Sequence, residues 1–185
     1  MMGDAVALDD LGSDDWGTRS AAAAVLLAHG SAAVPTLVTG ASHTSRRVRA
    51  ECVALMDHLA DERCSAALAA ALRDASPLVR RHAVHSLGCQ RCKASPLGLD
   101  VVGLLVERAL GDRSPRVRRA AVHQLGLQPY DPRTVAALSA VLAGAGDPGL
   151  LSRARYALAE QQRHAEPLRS RPQANNTTRS NAEAK

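Results

Sequence analysis

The sequence predicts an all-α fold, an α-solenoid of about five stacked antiparallel helix pairs. Three observations carry this reading. Ala, Leu and Val dominate the apolar residues, with no Phe, no Ile, one Trp and two Tyr in 185 residues. Ala and Leu favour helices, whereas β-branched and aromatic residues favour strands. Two segments repeat almost residue for residue, "LRDASPLVRRHAVHSLG" (72–88) and "LGDRSPRVRRAAVHQLG" (110–126). Between the repeats lie apolar stretches of helical character, "SAAVPTLVTGA", "CSAALAAALRD", "LDVVGLLVERALGD" and "RTVAALSAVLAGAGD". A helix pair buries only one face, so such units must stack to share a core.

Each unit reads as helix A, a turn carrying Asp, then helix B. The landmark of helix B is an arginine near its start: Arg49, Arg80, Arg118 and Arg153, with Arg19 in the first unit. Weaker copies are "GSDDWGTRSAAAAVLLA" (12–28), "SHTSRRVRAECVALMD" (42–57) and "AGDPGLLSRARYALAE" (145–160). Pro77 and Pro115 suit the first helical turn, where a missing N–H costs nothing. Ser76 and Ser114 before them are expected N-caps, and Gly88 and Gly126 expected C-terminal stops. Asp74, Asp112 and Asp147 lie six residues before a landmark arginine. Arg80, Arg118 and Arg153 are expected to pair with the Asp of their own or the adjoining repeat, forming a ladder between repeats, since a charge at a packed junction needs a partner.

With the landmark arginine as origin, the residues one before and three, four and seven after share a face. Val79, Ala83, Val84 and Leu87, then Val117, Ala121, Val122 and Leu125, are the expected core. Cys52 and Tyr156 fall at the same core register. The opposite face of the B helices, expected to line the concave surface, holds Arg81, His82, His85, Arg119, His123 and Arg155. Such a row suits an acidic protein partner, with nucleic acid as an alternative.

The pattern D-x-S-P-x-V-R-R-x-A-V-H-x-L-G in 74–88, nearly repeated in 112–126, resembles the HEAT repeat, in particular the short bacterial HEAT-like repeats of phycobilin lyase-type proteins. The resemblance covers roughly residues 12–162 and implies the fold; it extends to no lyase site. Two further enzyme families share the architecture. Deoxyhypusine hydroxylases use His-Glu dipeptides, and none of the seven His here precedes Glu. HEAT-like DNA glycosylases use aromatic residues on a basic surface, and this chain has only Trp16, Tyr130 and Tyr156.

"HSLGCQRCK" (85–93) holds a C-x-x-C pair at the end of a B helix, in a loop that stretches the repeat spacing to 38 residues. Structural zinc takes four Cys or His ligands. His58, Cys64, Cys89 and Cys92 are one candidate set at this edge, with His85 as an alternative to His58. A loop of free thiols and a redox pair are the other readings.

Net charge is +5, and residues 1–15 hold five Asp and no Lys or Arg. That start lacks the basic residues of a secretory signal, and no apolar run is long enough for a bilayer. A cytoplasmic protein that does not bind membranes is expected. Residues 1–11 are expected to be a flexible acidic segment, 12–162 the repeat domain and 163–185 a disordered basic tail. The function expected is a non-catalytic interaction module or adaptor, with no cofactor or a structural zinc.

Overall fold

The computed structural model describes residues 2–89, 91–92, 97–144 and 146–169. The described residues form ten α-helices and no strand. They pair as α1 (Met2–Asp10) with α2 (Trp16–His29), α3 (Val34–Gly40) with α4 (Arg46–Leu59), α5 (Ser65–Ala71) with α6 (Pro77–Gly88), α7 (Val101–Gly111) with α8 (Pro115–Leu127), and α9 (Pro132–Ala143) with α10 (Pro148–Arg169). Single 3-10 turns, Gly30–Ala33 and Glu62–Cys64, lead into α3 and α5. The even-numbered B helices pack in sequence, α4 on α6, α6 on α8 and α8 on α10.

The core lies between the two columns of helices. Val79, Ala83, Val84, Leu87, Val117, Ala121, Val122 and Leu125 are all buried, as their spacing predicts. Leu37, Met56, Leu68, Leu105 and Leu138 join them from the remaining pairs. Each such side chain removed from water contributes about 1.5–3 kcal/mol. Cys52 belongs to this core, and burial pushes its thiol up to about 12.

Both ends of the chain depart from expectation. Within the expected flexible segment, Met2–Asp10 forms α1, which packs on α2 and α3; Ala7 on it and Leu11 just after it are buried in the core. The acidic residues masked an apolar stripe that closes the first repeat. At the other end α10 runs on to Arg169, with Gln161 and Ala165 buried, so the helix passes the expected boundary at 162. Residues 170–185, the rest of the expected tail, lie outside the described residues.

The arginine ladder forms between successive repeats. Arg49 holds Asp74 through Nε and Nη2 at 2.7 and 3.1 Å. Arg80 holds Asp112 in the same way at 2.8 and 2.9 Å. Each guanidinium also donates Nη1 to the turn before its own helix, Arg49 to the carbonyls of His43 and Thr44, Arg80 to those of Asp74 and Ala75. Asp74 and Asp112 in turn accept the backbone N–H of Ser76 and Ser114. The serines occupy the cap position without a side-chain cap bond; the aspartates two residues earlier organise the turn instead.

The ladder stops at the fourth repeat. Arg118 donates to the Asp112 carbonyl, and Asp147 pairs with Arg119 at 2.9 Å. The cause is local sequence. Asp112 lies three residues before Pro115, but Asp147 directly precedes Pro148 and caps α10 by accepting the N–H of Leu150. Buried Leu150, Ala154, Ala157 and Gln161 set the register of α10, which leaves Arg153 and Tyr156 exposed and removes Tyr156 from the expected core.

Gly88 and Gly126 are not left-handed stops. Both lie within helices at negative φ. A Cβ on Gly88 would stand 2.6 Å from Gln124 Cβ, and one on Gly126 would stand 2.9 Å from Ala157 Cα. Glycine is required there because neighbouring B helices touch backbone to side chain.

Candidate functional site

The exposed face of α6 and α8 gathers most of the residues expected to meet a partner. Successive turns put Arg81 and His85 on α6, and Arg119 and His123 on α8. Arg81, His85 and His123 are exposed; His82 and Arg119 are partly buried; Arg155 is exposed on α10. Arg119 is half committed by its ion pair with Asp147.

Two clefts lie along this face. One, of about 610 Å³, is lined by Leu78, Arg81, Pro115, Arg116, Arg119 and Asp147 among others. The second, of about 470 Å³, is lined by His85, Gly88, Cys89, Arg91, His123, Gln124 and Leu127. Leu78 and Leu127 are 40% and 50% exposed, so each cleft offers an apolar contact beside its cations. Burial, then the charges of Arg81 and His85, pushes the His82 imidazole below its ordinary value. Burial, then Arg153 and His85, does the same for His123. Both rings are held toward the neutral form, and an anion on this face would favour their protonation.

The cysteine edge is built from the ends of α4 and α6. Asp57 and His58 close the last turn of α4, and His85 and Cys89 stand at the end of α6. Ser86 Oγ donates to the Val53 carbonyl at 2.8 Å and fixes the two helices side by side. Ligating atoms of Asp57, His58 and Cys92 all lie within 4.8 Å of one another, and so do those of Asp57, His85 and Cys89. The Cys89 and Cys92 sulfurs are 3.6 Å apart.

Cys64 belongs to neither group. It is buried in the turn before α5, where burial raises its thiol, and sequence spacing alone placed it at the edge. Asp57 stands in the cluster instead. It is only 4% exposed, which the sequence does not signal because "MDHL" reads as an ordinary helix end. Its Oδ2 is 3.4 Å from His85 Nε2 and 4.0 Å from His58 Nε2. The Cys92 thiol is pushed up to about 11 by its hydrogen bond with Cys89, by burial and by the Asp57 carboxylate. Residues 90 and 93–96 of the connecting loop lie outside the described residues.

A family model described as HEAT repeats matches residues 5–88 and 65–159. No curated protein matches the chain. Among solved structures the chain is similar to the complex of CpcE and CpcF of phycocyanin lyase from Nostoc sp. PCC7120, at 22% identity and a TM-score of 0.72, over 84% of this chain and 98% of that one. It is also similar to an engineered protein, at 18% identity and a TM-score of 0.56, over 88% of this chain and 80% of that one. A third is a designed armadillo repeat protein in complex with the peptide (KR)4, at 16% identity and a TM-score of 0.54, over 84% of this chain and 80% of that one. At these identities the likeness is one of fold. It nonetheless corrects the expectation of a non-catalytic chain. A chain with this fold, matched over nearly its whole length, belongs to a phycocyanin lyase complex. The lack of familiar motifs is therefore no ground for excluding catalysis. Among the described residues no single helix is long and apolar enough to cross a membrane.

Proposed function

Because the chain belongs to the HEAT-repeat family, we propose that it works by docking a protein partner on the exposed face of α6 and α8, and that the partner presents an acidic segment there. The observation that carries this reading is the pair of clefts along two adjacent helices, each combining an exposed arginine with an exposed leucine. Arg81 and Arg116 at one end, and Arg91 at the other, suit carboxylates spaced along a polypeptide. Leu78 and Leu127 add apolar contact, which a purely phosphate-reading surface does not need. Arg155 extends the row onto α10.

Relatives in fold support a protein partner. CpcE and CpcF form a complex with each other. The designed armadillo repeat protein holds a basic peptide. The B helices of this chain carry arginines on that face, so the occupant suited to them is acidic.

The test is binding of a fluorescein-labelled Glu-rich peptide by anisotropy, with a duplex DNA of the same charge in parallel. Arg81→Glu is expected to weaken peptide binding about tenfold or more, while Arg73→Glu, the same charge change on the turn before α6, leaves it nearly unchanged. Equal losses from both variants would reduce the effect to net charge and refute the site. Tighter binding of DNA than of peptide would favour nucleic acid as the partner.

A further inference from the structure

We propose that Asp57, His85, Cys89 and Cys92 form a zinc site that clamps the C-x-x-C turn onto the ends of α4 and α6, with His58 as a further donor on its open side. The site does not depend on the docking face, although His85 and Cys89 touch both.

Three features carry the inference. The first is donor geometry. Tetrahedral zinc with Zn–S of about 2.3 Å holds its two sulfurs roughly 3.7 Å apart. Cys89 and Cys92 already stand at 3.6 Å. Asp57 and His85 lie within 4.8 Å of Cys89 and of each other, and Asp57 also lies within 4.8 Å of Cys92. The two sets of three share only Asp57, so one ion holding all four donors requires the side chains to close further.

The second is charge. Asp57 is a carboxylate sunk at an edge beside two thiols. A dication bound there is answered by the carboxylate and by two thiolates together.

The third is the support behind His85. Gln124 Nε2 lies 3.1 Å from His85 Nδ1. Gln124 Oε1 is buried and has no hydrogen-bond partner among the described residues. Rotation of that amide by a half-turn gives the oxygen the Nδ1–H of His85. Nε2, which faces Asp57 at 3.4 Å, then keeps its lone pair for the metal. Metal-bound histidines are commonly held by such a bond on the second nitrogen. Gln124 is thus a positioning residue, seated by its contact with Gly88 and by the bond from Gln128 Nε2 to the Gln124 carbonyl.

The chemistry of the set selects the ion. Two thiolates, an imidazole and a carboxylate suit zinc, whereas magnesium and calcium want oxygen alone.

The experiment uses the full chain carrying Cys52→Ala and Cys64→Ala, so that Cys89 and Cys92 are its only thiols. Cobalt is titrated into the metal-free protein, then displaced by zinc, with zinc content measured on the protein as purified. The expected result is about one metal per chain, with sulfur-to-cobalt charge-transfer bands and the strong visible bands of a tetrahedral site. Cys92→Ser is expected to weaken cobalt binding and to reduce the charge-transfer bands sharply. Gln124→Ala is expected to weaken cobalt binding roughly 10–100-fold while keeping the spectrum per bound ion. His85→Ala is expected to cost more affinity than His58→Ala. Circular dichroism on each variant separates loss of the site from loss of the fold. Absence of the bands in the folded double variant, or a spectrum unchanged by Cys92→Ser, would overturn the site. Recovery of Cys89 and Cys92 as a disulfide that excludes metal after purification under reducing conditions would also overturn it.

Discussion

Replacement of Asp112 by Ala is the sharpest probe of what holds the repeats in line. Arg80 and Asp112 have side chains only 4% and 1% exposed, joined by two hydrogen bonds of 2.8 and 2.9 Å. The same carboxylate lies 3.7 Å from Arg108 Nη1 and accepts the N–H of Ser114. Loss of one partner of a buried pair leaves an uncompensated charge and costs about 3–5 kcal/mol. That is a large part of the roughly 5–15 kcal/mol that holds a domain folded. In urea, at a slope of about 2 kcal/mol per molar, the midpoint should fall by about 2 M. Arg80→Met with Asp112→Leu removes both charges and fills the space. It should recover most of the loss, because apolar replacement of both partners is close to neutral. The assay is urea unfolding followed by circular dichroism on the three proteins. An Asp112→Ala midpoint within experimental error of the parent would refute the ladder as a stabilising device. Equal losses in the single and double variants would refute the uncompensated charge as its cause.

Gly88→Ala, which in an open helix would stabilise, should instead destabilise by about 1–3 kcal/mol, since the new methyl meets Gln124 Cβ; thermal unfolding reads the sign. Stability should fall as pH drops below the ordinary histidine value of 6.5. The folded forms of His82 and His123 resist protonation while the unfolded chain accepts it. His82→Gln with His123→Gln should flatten the fall in melting temperature between neutral pH and about pH 5. A second, steeper loss should follow as pH falls below the ordinary aspartate value of 3.8. Burial favours the neutral Asp74 and Asp112 carboxyls, but their hydrogen bonds from the arginines and from Ser76 and Ser114 outweigh it and hold both below that value. Acid titration followed by circular dichroism checks this step, which Arg80→Met with Asp112→Leu should shallow.

Most of the fold was legible because the repeat spells out its own packing. Val-Arg after Ser-Pro sets both the helix start and its buried face, and Val79 and Val117 sit where that spacing puts them. Where the spelling changed, the reading slipped. "GDPG" lacks the two residues between Asp and Pro, so α10 turns to a register that exposes Tyr156. The acidic residues of 1–11 concealed Ala7 and Leu11, which no local pattern distinguishes from a polar tail. Gly88 and Gly126 were recognisable as special positions, but their reason lies in a neighbouring helix that linear sequence does not show. At the cysteine edge the pair Cys89 and Cys92 was visible from its spacing. Asp57 was not, because burial of a helix-end carboxylate depends on how α6 lies against α4.

The ladder has a direction, since the second and third repeats offer Arg49 and Arg80 forward and the third and fourth receive them on Asp74 and Asp112. A unit with the pattern D-x-S-P-x-V-R spliced between the third and fourth repeats would find both of its charges answered. Its aspartate would take Arg80, and its arginine would take Asp112. The junction is therefore interchangeable, and the array can grow or shrink by whole units in its middle without a new interface having to arise. The outer units are spelled as ends: Arg19 turns back to the carbonyls of Ser13 and Asp14, and Asp147 answers Arg119 instead.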